Sequence, residues 1–305
     1  MQSLSLVNYG TGSPSQKKIN IMMKLKIKDF QVIKSADILF EGLTVIAGEN
    51  DTGKSTVGKI LFSEIRNSLL KTRTEKLNQI EFQFENDITH FPIFIDSPDF
   101  LSKFNYLKNT MVLSQQYQLN FSLPNEVGDL VLRISQPSVL TRHNKTFQLI
   151  KNLIKGEVYY DSLEDNIFYK KDGLKNKLDM YQTANGIKMF GFLQILILNG
   201  ALKNGSTLIF DEPEVHLHPK WQLEYAKIIC GVVTEGIKVL VNSHSPYMIE
   251  ALELYSKKEN INPHFYLANK VDEASIIENV TNHLERIYKK LAEPITSLEE
   301  LDDVK

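Results

Sequence analysis

The sequence predicts an α/β protein whose core sheet is mostly parallel, with an antiparallel β meander and a helical lobe attached. Three observations carry that expectation. Short apolar runs such as LTVIA (Leu43 to Ala47) are nearly continuous, as strands buried on both faces of a parallel sheet are. From Gly186 onward, helical and strand patterns alternate, which is the order that builds parallel sheets. One strand also runs directly into a glycine-rich turn, Gly48 to Thr56, that opens a helix. The chain of 305 residues, 42% hydrophobic and 24% charged, has enough apolar content for a large core and is not that of a mostly disordered protein.

Taken in order, residues 1–21 mix Gly10, Gly12, Pro14 and several serines with Lys17 and Lys18 and show no sustained period, so they read as an N-terminal extension. The sequence leaves open whether this is a native flexible tail or lies upstream of an internal start at Met22 or Met23. Strand character begins at Lys24, where KLKIKDF alternates polar and apolar. Strands over Val32 to Phe40 and Leu43 to Ala47 follow, then a helix from about Gly53 to Leu70 with Val57, Ile60, Leu61 and Ile65 at helical spacing. Residues 71–145 are the least legible, and only PIFID (Pro92 to Asp96) reads as a strand there. EVYYD, NIFYK and KLDMY, between residues 156 and 183, form the expected meander, with turns at Ser162 to Asp165 and Asp172-Gly173.

A helix over Gly186 to Asn199 precedes strand TLIFD (Thr207 to Asp211). A second, about 219–235, precedes KVLVN (Lys238 to Asn242), and a third, about 246–255, precedes the strand-like HFYLAN. No internal repeat or sustained heptad is visible. The expected organisation is one two-lobed domain over 22–305: a phosphate-loop part (22–70), a variable helical and β lobe (71–183) and the remainder (184–305).

The chemistry concentrates at predicted strand ends. GENDTGKST satisfies G-x-x-x-x-G-K-[ST] between a buried strand and a helix, the P-loop context. Gly48 and Gly53 permit tight backbone geometry, so the N–H groups of Asn50, Asp51, Thr52 and the residues through Thr56 can surround phosphates. The helix start adds its partial positive charge. Lys54 supplies a flexible cation to the β and γ phosphates, and the Ser55 hydroxyl can coordinate Mg²⁺. TLIFDEPE brings Asp211 to the end of a second strand, where it can hold Mg²⁺ opposite Ser55, and places Glu212 as candidate general base. His244 follows a third strand in NSHSPYMIEAL and can donate to a γ-phosphate. His216 and His218, in EVHLHP, are not read as metal ligands: no third ligand is evident, and Pro219 marks a helix start.

These residues carry a resemblance. GENDTGKST, DEPEVHLHPKWQ and NSHSPYMIEAL together resemble the ATPase heads of the SMC/RecF/OLD branch of ABC-type ATPases, with Asn50 and the run EPExHLHPxxQ ending at Gln222 typical of that branch. The likeness extends from about Lys24 to the C-terminus, where IYKKLAEPITSLEEL looks like a closing segment of small ATPases in the group. It implies a P-loop fold with an ABC-type head, ATP and Mg²⁺ as ligands, and a homodimer that sandwiches two ATP molecules. Each site would then need a signature loop from the partner, for which TANGIKMFGFLQIL is the candidate: Asn185, Gly186 and Lys188 at a helix start would meet the opposing γ-phosphate. Asn185 departs from the serine common in the family. The glutamine that reports the γ-phosphate has no secure counterpart; Asp96 and Ser97 stand at its expected place, with Gln115 and Gln116 further on. Phe30 could stack near adenine or belong to the core.

The function expected on this basis is an ATP-hydrolysing switch controlling a separate effector, a nuclease or toxin, in DNA maintenance or antiphage defence. A nucleotide-binding module with negligible turnover and a transporter ATPase subunit are the alternatives. TANGIK and EPEVHLHP depart from transporter patterns. With 35 Lys plus Arg against 37 Asp plus Glu, the net charge of −2 gives no simple case for nucleic acid. A local excess at Lys17, Lys18, Lys24, Lys26, Lys28 and Lys34 over Asp29 and Asp37 keeps that question open. The single cysteine, Cys230, excludes an internal disulfide and a cysteine zinc cluster. No signal peptide or spanning segment is evident, since the longest notable apolar stretch, Phe190 to Leu198, is interrupted by Gln194. A cytoplasmic protein without membrane contact is the expectation.

Overall fold

The computed structural model describes residues 22–72, 78–85, 88–139 and 142–302, with side chains described to residue 293. The expected extension over residues 1–21, with Lys17 and Lys18, lies outside them. The N-terminal half contributes β1 (Met23–Phe30), β2 (Ile33–Phe40), β3 (Leu43–Gly48), α1 (Lys54–Leu70), β4 (Ile80–Phe84), β5 (Ile93–Ile95), α2 (Asp99–Gln116), α3 (Asn125–Ile134) and α4 (Lys145–Ile154). A small antiparallel sheet follows, built from β6 (Gly156–Asp161), β7 (Asn166–Lys171) and β8 (Leu178–Asp179). The rest comprises α5 (Asn185–Leu198), β9 (Thr207–Asp211), α6 (Pro219–Thr234), β10 (Lys238–Ser243), α7 (Pro246–Lys258), β11 (His264–Val271), β12 (Ala274–Asn279) and α8 (Glu285–Asp302).

Among the described residues the main sheet has nine strands in the order β4-β1-β2-β12-β11-β3-β10-β9-β5. β11, β3, β10, β9 and β5 run parallel to one another. The other edge is mixed: β1 pairs antiparallel with β2 and β4, and β11 with β12. The α/β P-loop architecture of an ABC-type head is therefore present, its parallel half holding every strand that ends at the chemistry.

Burial explains why the central strands read as continuous apolar runs. Side chains alternate across a strand, so Val45, Leu208, Phe210, Val239 and Val241 enter one core, shared with α2 to α7. Ile46, Ile209 and Leu240 enter the other, against α1 and the inner faces of β1 and β2. Gln194, which interrupts the apolar run of α5, is fully buried; its amide accepts from Val158 N at 2.7 Å and donates to Gly156 O at 3.3 Å. It docks the small sheet on the helix without leaving an unpaired polar group.

The elements differ from expectation mainly where the sequence pattern is weak. β8 is only two residues long, because the Asp179 carboxylate accepts from Tyr181 N and turns Met180–Gln182 into a 3-10 helix. Residues 71–145, where only one strand is legible, also supply β4 and the two helices α2 and α3. β12 adds to the expected elements; it returns from β11 through Asp272, whose φ of 55° suits a tight turn. Among the described residues no helix is long and apolar enough to cross a membrane.

Candidate active site

The cleft begins at β3, which pairs with both β10 and β11 and ends where backbone meets backbone. A Cβ at Gly48 would collide with the carbonyl oxygen of Ala268 on β11, so glycine is required by close approach. The loop then turns through Asp51 (φ 59°) and Gly53 (φ 84°), and a Cβ on Gly53 would also meet Ile33 at 2.7 Å. Gly53 is the N-cap of α1 and has no side chain to bond the first N–H groups, so they stay directed at the cleft.

Lys54 is the first residue of α1 and its side chain is 3% exposed. Its Nζ donates to the carbonyl oxygens of Gly48 (2.9 Å) and Glu49 (2.6 Å), and Glu212 Oε1 lies 3.7 Å away. Burial lowers its pKa, while Glu212, Asp211 and Glu214 act in the opposite direction. Three other P-loop side chains are tied down, one within the loop and two to residues outside it: Thr52 donates to Glu49 O at 2.8 Å, Thr56 to Gln31 Oε1 at 3.3 Å, and Asp51 pairs with Lys270 on β11 at 2.9 Å.

β9 and β10 deliver the acidic side. Asn50, Asp51, Thr52, Gly53, Lys54, Ser55, Thr56, Asp211 and Glu212 line one cleft of about 550 Å³, together with Gln31, Val32, Asp96 and Val215. Asn242, at the end of β10, donates from Nδ2 to Asp211 Oδ1 and to the Lys54 carbonyl, both at 2.9 Å. One amide thus sets the spacing between the acidic strand end and the start of α1. Glu212 has the left-handed φ of 52°, costly for a non-glycine residue, and its N–H donates to Asn242 O at 2.9 Å.

His244 Nδ1 is 3.4 Å from Glu212 Oε1 and 3.4 Å from Glu214 Oε1. The imidazole holds the Glu212 carboxyl below its ordinary range despite partial burial. Reciprocally, Glu212 first and Glu214 second raise the His244 pKa, against burial and Lys54. Glu214 is buried, and its Oε1 accepts from Ser243 Oγ (2.8 Å), His244 N (2.8 Å) and Ser245 N (3.2 Å). Ser245 Oγ donates in turn to Gln222 Oε1 at 2.6 Å.

The structure does not bring every predicted residue together. Gly48, His244, Asn185, Gly186 and Lys188 do not line this cleft within the chain; His244 meets it only through Glu212. Lys188 is buried and donates to Asn185 Oδ1 at 3.1 Å, and a Cβ on Gly186 would meet the Trp221 ring at 2.7 Å. Phe30 packs against the second core rather than lining the cleft, which favours the core alternative; its neighbours Gln31 and Val32 line the cleft instead. Asp96, at the end of β5, reaches the cleft, whereas Gln115 and Gln116 are exposed at the far end of α2. His218 caps α6 by accepting from Lys220 N at 3.3 Å, which gives it a structural task. In the basic run, Lys24 pairs with Asp37 at 3.1 Å and Lys26 with Glu81 at 3.7 Å, so part of the local excess is neutralised across strands.

Asn242 and Glu214 are the polar residues to which sequence reading assigns no role. Both carry a signal: a polar side chain in or beside an otherwise apolar strand end, where a buried group needs a partner.

A glycine-rich loop between a buried strand and a helix, facing an acidic strand end across a parallel sheet, defines a P-loop ATPase head of the ABC type, in its SMC/RecF/OLD branch. Comparison with known proteins agrees. The chain belongs to the AAA-domain family described as putative AbiEii toxin, Type IV TA system, whose model matches residues 71–250. That span includes Asp211, Glu212 and His244 and begins after the P-loop. The chain is similar to the Septu protein PtuA of Bacillus thuringiensis, 24% identical over 110 residues, which is 35% of this chain and 24% of that protein. In fold it resembles an Smc head bound to the C-winged helix domain of ScpA, at TM-score 0.52 and 12% identity, covering 87% of this chain and 99% of that one. An Smc head with an extended coiled coil, bound to the C-terminal domain of ScpA derived from Pyrococcus furiosus, is similar at TM-score 0.50 and 14% identity, covering 88% and 98%.

Proposed function

We propose that the protein is an ATP-binding and Mg²⁺-dependent ATP-hydrolysing switch that closes as a homodimer around ATP and controls a separate effector. The observation that carries this reading is the convergence of Lys54, Ser55, Asp211 and Glu212 in one cleft, with His244 against Glu212. The cleft residues suit the ligand. A buried cation, the uncapped start of α1 and a turn shaped by glycine are complementary to a polyphosphate. Among the described residues no group of three or more His, Cys, Asp or Glu could hold a metal. Mg²⁺ takes one or two protein ligands and completes its shell with water and phosphate oxygens, and Ser55 and Asp211 both line the cleft. Ser55 and Asp211 are the residues that would hold it, and the ion would neutralise charge on the phosphates.

In this reading Lys54 exchanges its loop carbonyls for phosphate oxygens, Glu212 accepts a proton from the attacking water, and His244 donates to the terminal phosphate. Glu212 is ionised at neutral pH, as a general base must be, although its lowered pKa makes it a weaker base than an ordinary glutamate. Asn185, Gly186 and Lys188 would serve the partner's site. The chain would act as one two-lobed head over 22–305 in the cytoplasm. Similarity to the Septu protein PtuA supports antiphage defence as the output; a separate nuclease or toxin as the effector, and DNA maintenance, rest on the likeness to SMC/RecF/OLD heads.

The test is steady-state phosphate release, with Glu212→Gln as control. Release by the wild type well above the variant supports the reading. Equal, slow release by both would leave a nucleotide-binding module without turnover.

A further inference from the structure

We propose that Glu214 is a positioning residue for hydrolysis, holding the loop Ser243–Ser245 so that His244 faces Glu212. The proposal rests on the reading of the cleft as an ATP-hydrolysing site and adds to it the residue that aims the histidine.

A carboxylate buried to 3% side-chain exposure is costly unless it is held by donors. Glu214 is held through one oxygen only. Oε1 accepts from the Ser243 hydroxyl and from two successive backbone N–H groups, those of His244 and Ser245. Oε2 is buried without a partner. Burial raises the Glu214 pKa, and the donors from Ser243 and His244 oppose it by favouring the charged form. Concentrating the contacts on one oxygen binds three consecutive residues of one loop to one point.

The consequence falls on His244. With its own backbone N–H fixed to Glu214, the ring sits with Nδ1 3.4 Å from both Glu214 Oε1 and Glu212 Oε1. The loop is tied from the other side as well, because Ser245 Oγ donates to Gln222 on α6, and Gln222 Nε2 donates to Leu217 O at 3.0 Å. Glu212 and Glu214 therefore stand on the turn after β9, His244 on the turn after β10, and the Glu214 carboxylate is the link between them. The charged groups facing the imidazole are Glu212 and Glu214 from that turn and Lys54 from α1. Neither Glu214 nor His244 lines the cleft; His244 Nδ1 lies 3.4 Å from both Glu214 and the cleft residue Glu212, so Glu214 acts through His244 rather than on the reacting atoms.

The experiment compares wild type, Glu212→Gln, Glu214→Gln and Glu214→Ala. Glu214→Gln keeps size and one acceptor oxygen but removes the charge, so it retains the fold if Glu214→Ala does not. Affinity for a fluorescent ATP analogue should stay within about threefold of wild type in Glu214→Gln, because the phosphate ligands are untouched. Its phosphate release should fall roughly tenfold, and that of folded Glu214→Ala roughly a hundredfold, the scale of a misplaced catalytic group. The NMR titration of His244, assigned by its absence in His244→Gln, should move toward lower pH in Glu214→Gln, since a negative neighbour is gone. The distinguishing readout is the double variant: if Glu214 acts through His244, Glu214→Gln should lower release no further in a His244→Gln background. Unchanged titration and unchanged release in Glu214→Gln, with an active wild type, would overturn this proposal alone. Equal release by wild type and Glu212→Gln would overturn the hydrolysis reading and this proposal together.

Discussion

The P-loop cleft and the start of α5 both combine glycine, a lysine and a helix N-terminus, yet they are built in opposite ways. In the cleft, polar groups are joined across elements: Asn242 links β10 to α1 and β9, Lys54 faces Glu212, and Glu214 bonds the turn after β10. At α5, Lys188 bonds its near neighbour Asn185, and Gly186 meets the flat ring of Trp221. The first region is organised for chemistry within one chain. The second is a packing joint, and any chemistry it has must come from outside that chain. The same residue types therefore do not carry the same meaning; the cross-element polar contacts do.

Five substitutions would break or sharpen that contrast. The largest effect should come from Lys54→Ala, which removes the buried cation; ATP affinity measured with a fluorescent nucleotide should fall by roughly a hundredfold or more. Retained micromolar binding would contradict the cleft's assignment. Next, Glu212→Gln should lower phosphate release by about a hundredfold, within the usual span for a general base. It should also accumulate ATP-bound dimers visible by light scattering, and a variant that stays monomeric with saturating ATP and Mg²⁺ would count against the sandwich.

Asn242→Ala should cost about 1–3 kcal/mol in chemical denaturation, because Asp211 and the Lys54 carbonyl lose a shared donor. An unchanged unfolding midpoint would show that the two ties are not needed. Gly186→Ala should cost a similar or smaller amount, about 1–3 kcal/mol of overpacking against Trp221. Adding Trp221→Leu should recover most of it. If stability is unaffected by Gly186→Ala, the packing account of this glycine fails.

The smallest expected effect concerns pH. The folded-state pKa of His244 is raised, so its pairing with Glu212 contributes stability that is complete below the unfolded value of about 6.5 and is lost as pH rises through the folded value. The ring is 39% exposed and solvent screens the pair, so the contribution should be under about 1 kcal/mol. His244→Gln should flatten the stability profile just above pH 6.5, and an unaltered profile would remove the pairing.

Much of the fold and of the cleft is legible in the residues themselves. Leu43–Gly48 reads as doubly buried because side chains from one strand enter both cores, and GENDTGKST reads as a phosphate loop because only glycine fits the close approaches of Gly48 to Ala268 and of Gly53 to Ile33. The stretch 71–145 is opaque for a physical reason. α2 buries only Phe100, Leu101 and Phe104, near its N-terminal end, so its sequence carries little periodic signal, and β5 is three residues long. β12 escapes sequence reading because its burial comes from pairing between β2 and β11, partners distant in the chain.

The sequence by itself determined the local chemistry: a P-loop, two acids at one strand end, a histidine at another, and no cysteine framework. Those follow from residue type and short spacing. Only the tertiary structure decided which strand ends share a cleft, that Asn242 reaches Lys54, 188 positions away, to set its width, and that Glu214 faces the histidine loop rather than solvent. The reason is strand order: β3, β10 and β9 are neighbours in the sheet though far apart in the chain, and that adjacency is settled by the packing of two cores on either face.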